Sequence, residues 1–160
     1  SSKCRQFTCW IMNFPYARVT DISRFPNYKR TLPWIRFGIF NPLRPKTTIY
    51  PLGLVDSGSD ITFVTHEIGE QLGYDITSVK KGEVIGIGGG NIDVYFHKVG
   101  IIVEDIKNNK DLYKFVDLIG FTYKDFPLSM PQQTAILGTM GFFNHLNICF
   151  KFPAQITITQ

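Results

Sequence analysis

A single Asp-Ser-Gly, at residues 56–58, constrains this chain more than any other feature. The apolar run Leu52-Gly53-Leu54-Val55 leads directly into Asp56, and a second acid, Asp60, follows before apolar sequence resumes at Ile61. A surface β-turn also favours Asp, Ser and Gly, but here apolar segments flank the turn on both sides. The fold must therefore deliver one carboxylate out of a buried strand into a tight turn. Two further segments follow in order. Gly86-Ile87-Gly88-Gly89-Gly90 lies about thirty residues on, and Ala135-Ile136-Leu137-Gly138 lies near the C-terminal end.

The rest of the chain reads as short strands. Ile, Val, Thr, Phe and Tyr dominate its apolar positions, and fourteen glycines and nine prolines punctuate them. Residues 34–40 alternate as a half-buried strand, 41–45 form a proline-marked turn, and 47–55 return as one strand ending at Asp56. One short helix is predicted after Thr65, its cap. Ile68 and Leu72 share a face, and Gly73 stops it. Residues 84–87 and 92–97 read as a hairpin with a glycine-rich tip. Further strands are predicted over 99–104, 112–119, 146–152 and 156–159, with a polar turn at 107–110, a surface loop over 122–133, and a helical turn or two within 139–144. Such a pattern predicts an all-β, barrel-like domain. Residues 1–31 show no clear period and read as a basic N-terminal extension, with the main domain over 32–160.

In their order and spacing, the three motifs resemble those of the retropepsins, the single-domain aspartic proteases of retroviruses and their cellular and bacterial relatives. The resemblance covers roughly residues 32–160. It implies an acid-protease barrel with one or two short helices, forming one half of a two-fold dimeric protease. Asp56 then corresponds to the catalytic aspartate, Gly86–Gly90 to the flap, and Ile136-Leu137-Gly138 to the segment that crosses behind the active site. Peptide hydrolysis by this route needs two carboxylates sharing one proton across a water. With one Asp-Ser-Gly per chain, the second must come from another copy.

The resemblance assigns the remaining roles. The Ser57 hydroxyl bonds across the dimer axis, and Gly58 lets the backbone approach its mate. Asp60 contacts substrate main chain, or alternatively caps its own turn. Gly86, Ile87, Gly88, Gly89 and Gly90 cover the substrate, and Ile136 faces a pocket or packs in the core. Ile156, Thr157, Ile158 and Thr159, at the C-terminus, join the intersubunit sheet; as an exposed terminal strand they would otherwise invite aggregation. One position departs from the pattern. Where the family has an Arg after Ile-Leu-Gly to pair with the second acid, this chain has Thr139.

Other chemistries find less support. Gly86–Gly90 lacks the third glycine and following helix of a dinucleotide fingerprint, and the Gly-Lys-Ser/Thr of a phosphate loop. His66, His97 and His145 are widely spaced, with no nucleophile elbow, and read as non-catalytic. No metal or cofactor is implied. Cys4, Cys9 and Cys149 have no metal-ligand spacing. Cys149 reads as a buried small hydrophobe. A Cys4–Cys9 disulfide is open, though a reducing, cytoplasmic setting fits slightly better. No apolar run reaches the length of a membrane span, and no signal peptide is evident.

The net charge of +4 is unevenly spread: residues 1–50 hold nine Lys/Arg and one acid, and residues 51–160 hold eight Lys/Arg and twelve acids. The basic segment reads as a solvated extension, a cover docked on the acidic remainder, or a nucleic-acid patch. The expected activity is an endopeptidase favoured by mildly acidic pH, with a peptide or protein substrate and itself as partner. The alternatives are a catalytically weak dimeric peptide-binding or interaction module of the same fold, and a basic β-barrel that binds nucleic acid.

Overall fold

The structure is a computed structural model that describes residues 11–21, 28–85, 90–105, 112–123 and 133–160. Its strands in chain order are β1 (Met12–Pro15), β2 (Ala17–Asp21), β3 (Tyr28–Leu32), β4 (Trp34–Arg36), β5 (Gly38–Asn41), β6 (Arg44–Ile49) and β7 (Leu52–Val55). After the Asp56 turn come β8 (Phe63–Thr65), the helix α1 (His66–Gln71), β9 (Lys81–Ile85), β10 (Asn91–Glu104) and β11 (Leu112–Thr122). The chain closes with β12 (Ala135–Leu137), β13 (Asn147–Lys151) and β14 (Gln155–Thr159). Short 3-10 turns occupy Ile76–Ser78 and Phe143–His145. The all-β expectation holds.

The large sheet runs β4-β7-β12-β8-β11-β10-β5-β6, with β9 also paired to β10. Its long members β10 and β11 stay in antiparallel register from Val94↔Thr122 to Glu104↔Leu112. β10 is buried continuously from Val99 to Val103, with Val99, Ile101 and Val103 fully inaccessible on the core face and Gly100 and Ile102 covered on the other. A second sheet, β1-β14-β13, packs Met12, Ile156 and Ile158 into the same core as Ile35, Phe37, Phe121 and Leu137. Thus the strand Met12–Pro15 belongs to the packed body, while β2 and β3 form a two-stranded sheet of their own.

Several local expectations needed correction. The single strand predicted over 47–55 is broken at Tyr50-Pro51, where proline has no N–H to give a ladder. The turn predicted over 41–45 shrinks to Pro42-Leu43, and β6 carries Pro45 at the edge of the sheet, where it is tolerated. Phe37 divides 34–40 into two strands, and 99–104 continues β10 rather than standing alone. The 139–144 helical segment is a turn followed by the 3-10 turn at Phe143–His145.

The helix starts after Thr65, but the Thr65 hydroxyl makes no capping bond. Gly73 ends it at φ +84°, a left-handed conformation natural to glycine, and Asn41 donates its side-chain amide to the free Leu72 carbonyl at 3.2 Å. Cys149 is exposed, not buried. Its strand lies at the edge of the small sheet, and alternation puts its side chain with Asn147 and Lys151, away from the core. The hairpin is present, with Ile85 opposite Asn91. Gly86–Gly89 at its tip, Cys4 and Cys9, the turn at 107–110 and most of the loop at 122–133 lie outside the described residues.

Candidate active site

Asp56 sits where β7 leaves the large sheet. β12 lies between β7 and β8, parallel to the first (Leu137↔Val55) and antiparallel to the second (Ile136↔Phe63). The two strands flanking the Asp56 turn are thereby held apart by a third strand from 80 residues later in the chain. The Asp56 N–H donates to the Leu137 carbonyl at 3.0 Å, carrying the pairing one residue past the strand. The turn then closes on itself. Gly58 N–H donates to Asp56 Oδ1 at 2.9 Å, and Ser59 N–H donates to the Asp56 carbonyl at 3.2 Å. These bonds fix the carboxyl's orientation and leave Oδ2 free of hydrogen bonds among the described residues. Asp56 is half-buried, whereas Ser57 and Gly58 are exposed.

Residues 138–140 clamp this loop from behind. Thr139 and Met140 donate their N–H groups to the Ser59 and Asp60 carbonyls at 2.9 and 3.0 Å, and Thr62 N–H donates to the Met140 carbonyl at 2.9 Å. The buried Thr62 hydroxyl accepts the Gly138 N–H at 3.0 Å. Gly138 approaches so closely that a Cβ there would lie 2.6 Å from the Ser59 carbonyl oxygen and closer still to that of Ile61. Only glycine fits, which gives the Ile-Leu-Gly motif a steric cause.

Thr139, at the position of the family's Arg, bonds backbone instead: its hydroxyl donates to the Asp60 carbonyl at 3.0 Å. The Asp60 side chain is exposed and unpaired among the described residues. Ile136 is half-buried beside Leu54 and Phe63, on the opposite face from the fully buried Ala135 and Leu137. Gly90 is exposed. Ile156 and Ile158 fill the chain's own core, and β14 has β1 on one side and β13 on the other. The sequence reading missed Thr62; a lone Thr in an apolar run carries no signal of its partner.

The three histidines are dispersed as their spacing implied. His66 lies 3.5 Å from Glu70, His97 Nε2 is 2.9 Å from the Ile76 carbonyl, and His145 Nε2 is 2.6 Å from Asp117 Oδ2. The Asp117 carboxyl is pulled below its ordinary range. Burial pushes it up, but bonds from His145, the Leu118 N–H and Asn144, with the charge of His145, outweigh that. Cavities of about 540 and 420 Å³ lie around Tyr74 and Asp75, and Asp56 lines neither.

No known family profile matches the sequence, and no curated protein does. Solved structures do. A retropepsin-like aspartic protease from Rickettsia conorii superposes with a TM-score of 0.58 at 12% identity, over 95% of this chain and 93% of that one.

The fold is retropepsin-like.

The EIAV protease in complex with an inhibitor also matches, at 19% identity over 68% of this chain and 82% of that one, with a TM-score of 0.41. Within the retropepsin-like fold, the described core takes in β1 as well as the residues from 32 onward.

Proposed function

We propose that this chain is an aspartic endopeptidase that works as a homodimer. The observation that carries the reading is the Asp56 carboxyl itself. It is held by Gly58 on one oxygen and clamped from behind by residues 137–140, its other oxygen has no hydrogen bond among the described residues, and no second Asp-Ser-Gly occurs in the sequence. Two copies related by a two-fold axis supply the pair, and Ser57, exposed beside it, is free to bond across that axis. Like charges about 3 Å apart hold one proton between them. The ionised carboxylate takes a proton from the bound water, whose oxygen attacks the scissile carbonyl carbon. The protonated partner gives its proton to the carbonyl oxygen, forming a gem-diol. Collapse of that intermediate breaks the C–N bond as a carboxyl protonates the departing amine.

The substrate lies extended, as an added strand, with Leu54 and Ile136 offering apolar surface and the Gly86–Gly90 hairpin covering it. Asp60, unpaired among the described residues, is available to a substrate N–H. Cleavage is greatest at mildly acidic pH, where the pair retains its single proton.

The test is peptide and self-cleavage by the wild type and Asp56→Asn between pH 4 and 7. The variant should fold and dimerise normally yet lose activity by about 10⁴-fold, at the upper end of what acid–base groups contribute. Equal turnover by the two proteins would end the protease reading. An inactive wild type that still dimerises and binds peptides would select the interaction-module alternative, which the Thr139 substitution favours.

A further inference from the structure

The cavity of about 420 Å³ carries chemistry that peptide cleavage at Asp56 does not use. It lies between the Pro42-Leu43 turn that joins β5 to β6, residues 73–78 after the helix, and Lys98 of β10 with Val116 of β11. Its walls are pinned to one another. The Asn41 side chain donates to the Leu72 carbonyl at 3.2 Å, and the Tyr74 hydroxyl donates to the Lys98 carbonyl at 2.6 Å. His97 Nε2 lies 2.9 Å from the Ile76 carbonyl. Walls tied in this way are in place before a ligand arrives, which spares the cost of ordering them. The volume falls within the range of small-molecule sites, about 300–1,000 Å³.

Those bonds consume the neutral polar groups of the lining. Asn41, Tyr74 and His97 are engaged as described, and the Ser78 hydroxyl donates to the Asp75 carbonyl at 2.7 Å. Two charged groups remain. The Asp75 carboxylate and the Lys98 ammonium both line the cavity, both are exposed, and neither has a partner among the described residues. Apolar surface comes from Leu43, 91% exposed, and Val116, 48% exposed, with Pro42. The cavity thus offers one anion, one cation and an apolar wall, none of them used by the chain itself.

We infer that this cavity binds a small zwitterion with an apolar side chain: a free amino acid, or a short peptide with both termini uncapped. Its ammonium lies against Asp75, its carboxylate against Lys98, and its side chain against Leu43 and Val116. A simple anion would be opposed by Asp75 and a simple cation by Lys98, since like charges brought together are repelled. A neutral apolar ligand would strip water from both charges and return nothing. A ligand bearing both charges answers both groups. Asp56 takes no part in the site, so the inference stands whether or not the chain cleaves peptides.

NMR titration of the full chain at neutral pH tests it, with L-leucine and L-leucyl-L-leucine as probes. N-acetyl-leucine amide, which has the side chain without the charges, and octanoate, which is apolar and only anionic, serve as comparisons. At least one zwitterion should saturate with a Kd of about 1 mM, the scale of two exposed charge contacts over a small apolar area. Amide signals of residues 73–78, Lys98 and Val116 should move while those of 56–60 stay in place. Both comparison compounds should bind at least about tenfold more weakly, and Asp75→Asn and Lys98→Gln should each weaken the zwitterion by about tenfold. Both variants should fold, because the bonds that hold the walls use the backbone carbonyls of these two residues. Failure of both zwitterions to saturate overturns the inference, as do shifts confined to residues 56–60. Equal binding of either comparison compound, or an affinity indifferent to both substitutions, overturns it too.

Discussion

The Asp56 loop with its clamp at 137–140, and the β13 edge that begins seven residues after that clamp, are built in opposite ways. The loop is over-determined: residues 56–62 and 137–140 exchange backbone bonds in both directions, and Gly138 lies against carbonyl oxygens with no room for a methyl group. The edge is under-determined: among the described residues β13 pairs on one side only, and Phe150 on it is exposed. The surplus bonding surrounds Asp56, where the proposed chemistry needs a fixed carboxyl.

Gly138→Ala should break the first half of this contrast most severely. Its Cβ would meet backbone oxygens that cannot rotate away, and overpacking of this kind costs about 3 kcal/mol. Thermal or urea unfolding should show that loss, with peptide cleavage falling further than stability alone explains. Normal activity at full stability would mean that the clamp does not position Asp56.

Thr62→Val probes the same clamp more gently. It keeps the shape but leaves the Gly138 N–H, now bonded to the Thr62 hydroxyl at 3.0 Å, without a partner in a buried place. The expected cost is about 2 kcal/mol. Thr62→Ser, which keeps the hydroxyl, should recover most of it. A Thr62→Val protein as stable as the wild type would show that the bond contributes nothing.

The clamp was legible in the sequence because its motifs are local and demand particular residues: an acid before Ser-Gly, and a glycine where two backbones touch. The helix after Thr65 was legible for the same reason, since Ile68, Leu72 and Gly73 speak within one turn of each other. The terminal sheet was not. Four residues of β1 are too few to show a period, and only pairing with β14, more than 140 positions away, buries Met12. Likewise Cys149 sits in an apolar run, Ile148-Cys149-Phe150, that reads as core. It is exposed because β13 is an edge, a property of sheet order that no local pattern encodes.

Asp117 tests the connector between the two regions, with the smallest effect. It reaches from β11 to His145 and Asn144, the residues just before β13, and Phe115 stacks on the His145 ring at 4.1 Å. Because these bonds lower the Asp117 carboxyl below its ordinary value, the ionised form is the one that the folded chain favours. Its stabilisation is complete above the unfolded chain's carboxylate range and is lost as pH falls through the folded value. Asp117→Asn should therefore cost about 1 kcal/mol at pH 6–7, and the gap between variant and wild type should close below roughly pH 4. A gap that stayed constant down to pH 3 would show that shape, not charge, holds the connector.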